Sequence, residues 1–216
     1  MYKRQAYTIV GPDHLPYKTV LAEDGKEWLD RNLGATQVAN AYNDTAAYGH
    51  LYQWGRYTDG HQIRNSGTTT TLSSSDSPGH GNFIINPGGN NDWRTPQQTL
   101  WLGVSGTNNP CPSGFRIPTQ AELANLFNLI PNFTTATCGA TSSCKDVAAG
   151  SLLRLPSGGF RDYSSAGLSS LGSSGYYWSS TVGGVNAYDP YFGSSAVGPA
   201  YDNYRAYGFS VRCLKD

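Results

Sequence analysis

The chain contains few charged residues and no long apolar run. Charged residues make up 14% of its 216 residues, and the formal net charge is zero. Soluble domains usually carry about 25%. Because nucleic acids and anionic membrane surfaces attract a basic face, we expect neither as the partner. No apolar stretch approaches the ~20 residues that cross a bilayer. The opening sequence MYKRQAYTIVGPDH has no apolar h-region, so we expect neither membrane insertion nor a signal peptide in this chain.

A second absence is confined to the C-terminal part of the chain. Lys, Glu, Gln, Met and Trp are missing from Ser179 to Leu214, although they account for twenty of the first 178 residues. At uniform composition about four would fall in this segment. Seven of the fifteen tyrosines lie between Tyr176 and Tyr207, among Gly, Ser, Ala, Asp and Asn. Antibody paratopes have a similar composition, because Tyr gives a large contact area at low entropic cost.

The four cysteines suggest a disulfide framework. Cys138 and Cys144 bracket the short polar sequence GATSS, which a local disulfide would close. Cys111 and Cys213 would then link the middle of the chain to its C-terminus. Four cysteines allow three pairings, and the sequence does not choose among them or against four reduced thiols. No C-x-x-C motif or His cluster accompanies them, so we do not expect a zinc site.

Two segments have clear local signals. The sequence KTVLAEDGKEWLDRNLG predicts a hairpin that turns at Asp24 and Gly25. The sequence IPTQAELANLFNLI predicts a helix that begins after Thr119, with Glu122 completing a capping box. Pro131 is expected to end this helix.

Other segments have weaker signals. The spacing of Tyr48, Leu51, Tyr52 and Trp54 predicts a short helix or an irregular turn. Residues 65–91 are mostly Ser, Thr, Gly, Asn and Asp, and they predict a long surface excursion with an isolated apolar FII. Short strand-like runs separated by loops follow the predicted helix. Together these signals predict a single loop-rich α+β domain with two helices and short antiparallel strands.

A series of ordered motifs runs from Trp28 to Cys213. They are WLDRNLGA, YGHLYQWGRYTDG, DW, NPCPSGFRIPT, GGFRD, GYYWSST and RAYGFSVRC. The series resembles the Fibrobacter succinogenes major paralogous domain family, which has a C-type lectin-like fold of the formylglycine-generating-enzyme type. The resemblance implies that residues 18–216 form one ligand-binding domain of this fold. Residues 1–17 lie outside it, and we expect them to form an N-terminal arm.

The C-terminal segment has a narrower resemblance. It is similar to the variable region of proteins diversified by retroelements, among them phage receptor-binding proteins of the major tropism determinant type. Those systems randomise template adenines, usually in Asn codons whose final pyrimidine is fixed. Such codons never encode Lys, Glu, Gln, Met or Trp, which are the five types absent from this segment. The resemblance therefore implies a variable segment at about residues 183–207.

Two kinds of residue are distinguished within the C-terminal part. Apolar strand contexts predict a scaffold core made by Tyr177, Trp178, Tyr188, Phe192, Phe209 and Val211. The resemblance implies a variable, ligand-facing set: Gly183, Val185, Asp189, Tyr191, Gly193, Ala196, Gly198, Tyr201, Asp202, Tyr204 and Tyr207. A surface whose sequence changes freely needs a core made by other residues. The alternative is that these tyrosines are solvent-exposed without a role in binding, or belong to the core.

A metal and a catalytic role are separate questions. C-type lectin-like folds often hold calcium through loop oxygens, and suitable loop residues are Asp59, Asp76, Asn90, Asn91 and Asp92. Calcium takes about six to eight oxygens, and no spacing here supplies them, so we expect no required cofactor, with a structural calcium left open.

Catalytic relatives of this fold use a reactive cysteine pair and a metal. The sequence contains no nucleophile elbow, P-loop or HExxH motif, so we do not expect an enzyme.

The patterns together predict a ligand-recognition protein. The expected partner is a protein or glycan on a cell surface, bound by shape, aromatic contacts and hydrogen bonds. The expected location is a virion tail or tip, or an extracellular or cell-surface position. An oligomer is compatible with the resemblance, because related phage tip proteins form trimers. One alternative is a non-diversified adhesion or structural module of the same family, and a remote one is a formylglycine-generating-type oxidase.

Overall fold

The fold is mixed and rich in small sheets. The computed structural model describes residues 8–88, 91–138 and 142–216. In these ranges the helices are α1 (Gln120–Leu129) and α2 (Cys144–Gly150), with a 3₁₀ turn at Thr45–Ala47. The strands are β1 (Ile9–Val10), β2 (Pro16–Tyr17), β3 (Thr19–Leu21), β4 (Glu27–Leu29), β5 (Tyr52–Gln53), β6 (Thr68–Thr69), β7 (Phe83–Ile84), β8 (Phe115–Arg116), β9 (Phe160–Arg161), β10 (Leu168–Ser169), β11 (Gly175–Tyr176), β12 (Val182–Gly183), β13 (Asn186–Tyr188), β14 (Tyr191–Phe192), β15 (Val197–Gly198), β16 (Asp202–Tyr204), β17 (Gly208–Phe209) and β18 (Leu214–Lys215). This arrangement agrees with the α+β, loop-rich class expected from the sequence.

Most strands pair antiparallel. Two sheets have four strands, in the orders β3-β4-β18-β8 and β10-β9-β17-β5. Two have three strands, β11-β14-β15 and β12-β13-β16, and the two-stranded pairs are β1-β2 and the parallel β6-β7. The C-terminal strands enter the sheets of the N-terminal half, because β17 pairs with β5 and β18 with β4. No helix in the described ranges is long and apolar enough to span a membrane.

The hairpin and the helix with clear local signals are both confirmed. Strands β3 and β4 pair antiparallel with Val20 opposite Trp28, and Gly25 in the turn has φ +73°. Glycine adopts this left-handed conformation without steric cost. Helix α1 follows Thr119, whose hydroxyl accepts the Glu122 N–H while the Glu122 carboxylate accepts the Thr119 N–H. This reciprocal pair satisfies two N–H groups that the helix leaves free.

Two weaker expectations are wrong. The segment Tyr48–Trp54 does not form a helix, because its centre is strand β5 and residues 51–54 are all buried. A short strand buried on both faces has no alternation, so its sequence cannot be told from a helix. The FII sequence is not isolated on the surface either, since Phe83 and Ile84 form β7 and are fully buried. The second of the two helices expected from the sequence is therefore α2, not the segment Tyr48–Trp54.

The core consists of two apolar clusters. One contains Trp54, Trp93, Trp101 and Trp178, each at most 1% exposed. The Trp178 indole N–H donates to the Tyr52 carbonyl at 2.7 Å, so its one polar atom is satisfied inside the core. The other cluster packs α1 and α2 against β4, β14 and β18. The C-terminal strands therefore contribute to both clusters.

Two disulfides connect distant and local parts of the chain. Cys111 is bonded to Cys213 at a separation of 102 residues, and Cys138 to Cys144 at a separation of six. Of the three pairings open to four cysteines, the structure contains the one that combines a local loop with a long-range link. The long-range bond fixes the end of the C-terminal segment to the middle of the chain.

The described part of the expected N-terminal arm packs against the rest of the chain. Residues 8–17 include β1 and β2, which pair antiparallel. The Tyr17 ring is fully buried, and its hydroxyl accepts the Gly34 N–H at 2.7 Å and donates to Asp13. Residues 1–7 of the expected arm lie outside the described residues. The described arm residues thus make the same kind of buried contacts as the domain proper.

Candidate ligand-binding face

The C-terminal segment passes through two three-stranded sheets. In the sheet β11-β14-β15, Tyr176 lies opposite Tyr191, and Tyr191 lies opposite Gly198. In the sheet β12-β13-β16, Asn186 lies opposite Tyr204. Side chains directly opposite each other on neighbouring strands approach within contact distance. The registers therefore bring tyrosines that are distant in sequence next to each other.

A continuous array of rings results, which we call the aromatic face. Its members are Phe160, Tyr163, Tyr176, Tyr191, Tyr201, Tyr204 and Tyr207. At one end Tyr176 stacks on Tyr191 with ring centroids 5.7 Å apart. Tyr191 then meets Tyr201 edge-on at 5.1 Å. These separations are typical of favourable aromatic pairs.

The other end of the aromatic face is centred on Tyr207. Its ring contacts Tyr163 at 4.8 Å and Phe160 at 5.6 Å, and it stacks with Tyr204 at 6.3 Å. Beneath it lies Phe209, which is 2% exposed and stacks on Tyr207 at 5.3 Å. The face is thus a partly exposed layer of rings that rests on the buried core.

The hydroxyls of four tyrosines on this face have no partner in the part of the chain that the structure describes. Within the described ranges none of them hydrogen-bonds to another residue; they are Tyr191, Tyr201, Tyr204 and Tyr207. A phenol hydroxyl both donates and accepts. These four groups can therefore offer hydrogen bonds to a bound molecule without breaking any within the fold.

Residues outside the candidate set hold the main chain of this segment. The buried guanidinium of Arg205 donates to the carbonyls of Gly184 at 3.0 Å and of Asn186 at 3.4 Å. The Gln120 side chain, at the start of α1, donates to the Pro199 carbonyl at 3.0 Å. Each bond ends on a main-chain oxygen, so it does not depend on the side chain at the accepting position.

The hairpin β14–β15 is held in the same manner. The Cys144 N–H donates to the Ser194 carbonyl at 3.0 Å. The Thr135 hydroxyl accepts the Val197 N–H and donates to the Val197 carbonyl, both at 3.0 Å. Helix α2 and the loop after α1 therefore fix the position of this hairpin through its backbone.

Most of the candidate set reaches the surface. Val185 and Tyr201 are 57% and 50% exposed. Half-buried members are Gly183, Tyr191, Gly193, Ala196, Gly198, Asp202, Tyr204 and Tyr207. The four tyrosines meet in the aromatic face, whereas Gly183 and Val185 lie in and after β12. The expected core positions of Tyr177, Trp178, Phe192, Phe209 and Val211 are confirmed, with at most 2% exposure.

Two residues of β13 and the turn after it do not lie where they were expected. Asp189 was expected to face a ligand, but its side chain is 0% exposed. Tyr188 was expected in the core, but it is only half-buried, while Ala187 is fully buried. Alternation along extended backbone explains both errors, because successive side chains point to opposite sides. Residues 187 and 189 point inward, and residue 188 points the other way.

Asp189 is a structural group. The Asn203 side-chain N–H groups donate to its two carboxyl oxygens at 3.2 and 3.0 Å. Burial raises the pKa of Asp189 to about 8, an effect that the Asn203 hydrogen bonds reduce and the nearby charge of Asp202 increases. The carboxyl is therefore mostly protonated at neutral pH, which avoids the high cost of a buried unpaired charge.

Two glycines of the candidate set differ in the room around them. A Cβ at Gly198 would lie 2.2 Å from Cε1 of the Tyr191 ring, which covers this residue from the neighbouring strand. A Cβ at Gly193 would come no closer than 3.4 Å to any atom, the nearest being Oγ of Ser174. Gly198 is therefore matched to the tyrosine opposite it, whereas position 193 accepts a larger side chain.

A small pocket opens in the aromatic face, and we call it the tyrosine pocket. Its volume is about 120 Å³, and it is lined by Phe160, Tyr176, Tyr201, Asn203, Tyr207 and Phe209. Of these, only Tyr201 and Tyr207 belong to the ligand-facing set predicted from the sequence. Phe160 belongs to the GGFRD motif, far from the C-terminal segment, and no local signal marks it. It reaches the pocket because β9 pairs with β17.

Among the candidate calcium ligands, Asp59 belongs to a buried network. Its carboxylate lies 2.7 Å from the Arg56 guanidinium and 2.6 Å from Nδ1 of His61. Burial alone would raise the pKa of Asp59, but the His61 hydrogen bonds and the Arg56 charge lower it to about 2. Burial and the Arg56 charge lower the pKa of His61 to about 4, so this imidazole is neutral at pH 7. The Asp59 oxygens are thus committed to the protein.

The remaining candidate calcium ligands are also engaged elsewhere or undescribed. Asp76 lies 2.9 Å from Arg94, and Asp92 lies 3.8 Å from a buried arginine. The Asn91 carbonyl accepts a main-chain N–H from the segment before β17, and Asn90 lies outside the described residues. In the described ranges no group of three or more His, Cys, Asp or Glu side chains is arranged to hold a metal. The described candidate ligands are thus engaged in contacts within the protein.

Comparisons with known proteins do not assign the chain to a family. No protein-family model, curated protein or solved structure matches it.

Proposed function

We propose that this chain is a ligand-recognition protein that binds a protein or glycan on a cell surface through the aromatic face. We further propose that the scaffold is a C-type lectin-like domain of the formylglycine-generating-enzyme subtype. The segment at residues 183–207 would be the part diversified by a retroelement. Its site of action would be a virion tip or a cell surface, and binding would involve no covalent chemistry.

The observation that carries the proposal is the main-chain anchoring of the segment. Arg205, Gln120, Thr135 and the Cys144 N–H all bind backbone atoms between residues 184 and 199. Substitution of the side chains in between leaves these bonds in place. A binding surface that must change its sequence and keep its shape requires this kind of support.

The composition of the aromatic face also supports recognition. Tyrosine rings give rigid contact area, and their unpaired hydroxyls add hydrogen bonds without disturbing the fold. All four cysteines are in disulfides. A reaction that depends on a reactive thiol pair would first have to reduce one of them, which weighs against the oxidase alternative.

One observation favours the non-diversified adhesion module as a second candidate. The Tyr191 ring covers Gly198, so these two positions depend on each other. The Asp189 carboxyl is likewise buried against Asn203. A segment whose residues change independently would lose such matched pairs, whereas a fixed adhesion surface would keep them.

The encoding DNA separates these two candidates. The diversified protein requires a near-copy of the last ~100 nucleotides close to a reverse transcriptase gene, differing from the coding copy at template adenines. The mismatches should fall at the exposed positions and spare the codon of Asp189. If the replicon contains no such copy, the diversification is contradicted and the adhesion module becomes the better assignment.

A binding experiment tests recognition itself. The full chain is applied to a glycan array and to a panel of bacterial cells, together with the variant Tyr201→Ser. Tyr201 is 50% exposed, so we expect its loss to change the free energy of unfolding by under ~0.5 kcal/mol while weakening binding at least several-fold. The matched control is Tyr57→Ser, at a 45% exposed tyrosine outside the aromatic face. Equal effects of both variants on binding would contradict the proposal.

A further inference from the structure

The tyrosine pocket has features that specify a chemical class of ligand. It is small, its walls are mostly aromatic, and none of the described residues that line it is charged. Tyr176 and Tyr207 present their rings beside Phe160, with centroid separations from Phe160 of 5.3 and 5.6 Å. An apolar cavity of about 150 Å³ accommodates a molecule the size of benzene. A pocket of about 120 Å³ therefore suits a compact group with about the bulk of a small ring.

The charge of one carboxylate acts on a wall of the pocket. The Asp162 carboxylate acts on the Tyr207 hydroxyl, whose pKa is raised to about 12, first by burial and then by this charge. Hydrogen bonds from Ser164 and Ser165 outweigh the burial of Asp162 and lower its pKa, so it stays ionised. Negative potential at aromatic walls favours a cation.

Neither arginine of the neighbouring strands competes for this position. The Arg161 guanidinium is bound to Ser66 at 2.6 Å and lies over the Phe83 ring at 4.4 Å. The Arg205 guanidinium binds main-chain carbonyls and lies over the Trp54 ring at 4.8 Å. Both arginines of the neighbouring strands therefore have their charge engaged away from the pocket.

We propose that the tyrosine pocket binds a quaternary ammonium group carried on a stem without a phosphate, as in the side chain of a trimethylated lysine. This inference rests on the proposed recognition function, because it names the chemical group that the aromatic face takes. Aromatic rings attract such a cation through their negative faces, and the cation needs no hydrogen-bond acceptor. A primary ammonium would need acceptors for three N–H groups, and the lining offers mainly ring surface. The negative charge of Asp162 disfavours an attached phosphate.

Titration of the ¹⁵N-labelled full chain with choline tests the assignment. The comparison ligand is 3,3-dimethyl-1-butanol, which has the same shape with carbon in place of the charged nitrogen. We expect choline to bind about tenfold more tightly than this neutral isostere. Chemical-shift changes should be confined to residues around the pocket. Equal affinities would overturn the proposal, because the pocket would then recognise shape alone.

Variants link the binding to the pocket walls. Tyr201→Leu removes a half-exposed wall ring and should weaken choline binding several-fold, whereas Tyr201→Phe keeps the ring and should stay close to the parent. Tyr57→Leu, outside the pocket, is the matched control and should leave binding unchanged. If Tyr201→Leu and Tyr57→Leu bind choline equally well, the site lies elsewhere and the proposal fails. The dispersion of amide signals verifies that each variant is folded.

Two further ligands examine the stem and the charge. A trimethyl-lysine peptide should bind at least as well as choline, and phosphocholine should bind more weakly because its phosphate is repelled by the charge of Asp162. Tighter binding of phosphocholine would overturn the assignment, as would displacement of choline by a neutral methyl glycoside at similar concentration.

If the encoding DNA contains the diversifying repeat but choline does not bind, this inference alone fails. If choline binds and the repeat is absent, only the diversification fails.

Discussion

The core and the aromatic face hold their residues in opposite ways. In the core, side chains make the specific bonds: Gln53 donates to the carbonyls of Ile84 and Ala206 and accepts the Ile84 N–H. In the face, the hydroxyls of Tyr191, Tyr201, Tyr204 and Tyr207 make no hydrogen bond to a described residue, and the bonds from Arg205, Gln120 and Thr135 end on the backbone of the segment. Two regions of similar aromatic content therefore differ in how much their sequence matters. A substitution of Gln53 removes bonds of the fold, while a substitution of the exposed Tyr201 changes what the surface offers to a ligand.

The largest expected loss of stability comes from releasing the C-terminal end of the segment, which the bond between Cys111 and Cys213 holds. Replacing Cys111 and Cys213 by serine should lower the free energy of unfolding by about 4–5 kcal/mol, because the bond closes a loop of 102 residues. The matched control replaces Cys138 and Cys144, which close a loop of six residues, and should cost about 2–3 kcal/mol less. Urea unfolding followed by circular dichroism measures both. Equal losses would mean that packing alone holds the segment.

Truncating a core ring should be nearly as damaging. Trp178→Ala is expected to lower the free energy of unfolding by about 3–5 kcal/mol, since the indole is 0% exposed and donates to the Tyr52 carbonyl. The same measurement on Tyr57→Ala, at an exposed tyrosine, should show under ~0.5 kcal/mol. A mild loss for Trp178→Ala would contradict the placement of this ring in the scaffold.

The buried carboxyl of Asp189 should make stability depend on pH. Its pKa is raised from 3.8 to about 8, so between these values the folded state keeps a proton that the unfolded state releases. Stability contributed by this group is therefore present at low pH, decreases as the pH rises from about 4 to 8, and is constant above. In the variant Asp189→Asn, this decrease in stability with rising pH is absent. We expect the free-energy difference between variant and parent to increase by about 3–4 kcal/mol between pH 5 and pH 8.

Urea unfolding of both proteins across this pH range checks the prediction. A difference that does not change with pH would show that Asp189 is ionised in the folded protein. His61 affects stability in the opposite direction, because its pKa is lowered to about 4. It makes the folded state lose stability as the pH falls below its unfolded value near 6.5, which is the opposite direction.

The smallest expected effects on stability distinguish two glycine positions within the segment. Gly198→Ala places a Cβ against the Tyr191 ring and should cost about 1 kcal/mol, because the ring must move away from its stacked position. Gly193→Ala has open space and should cost under ~0.5 kcal/mol. Thermal unfolding of the two variants side by side distinguishes them. Equal tolerance would mean that the two positions change independently.

Local sequence signals predicted the elements that depend on local chemistry. The capping box at Thr119 and the turn at Gly25 rest on residues within a few positions of each other, so the sequence contains all the information needed. Strand β5 was missed because burial on both faces removes the alternation that identifies a strand. Phe83 was placed outside the core because its neighbours in sequence are polar, while its neighbours in space come from β17 and β9.

The candidate site was predicted in part for the same reason. Composition and the family resemblance selected Tyr191, Tyr201, Tyr204 and Tyr207, and these four rings do meet on one face. Phe160 and Asn203 could not be selected, since pocket membership depends on the pairing of β9 with β17 and on which side of β16 a residue points. Asp189 was misplaced because an acidic residue is usually exposed. Only the register of β13 shows that it points inward.

The anchoring of the segment has a consequence for how this protein can vary between isolates. Each carbonyl contact with Arg205, Gln120 or Thr135 belongs to a position in the chain and not to a residue type. An inserted or deleted residue would shift every later side chain to the opposite side of its strand and move each carbonyl away from its donor. Natural forms should therefore differ by substitution at constant length between Gly184 and Pro199, with gaps confined to other loops.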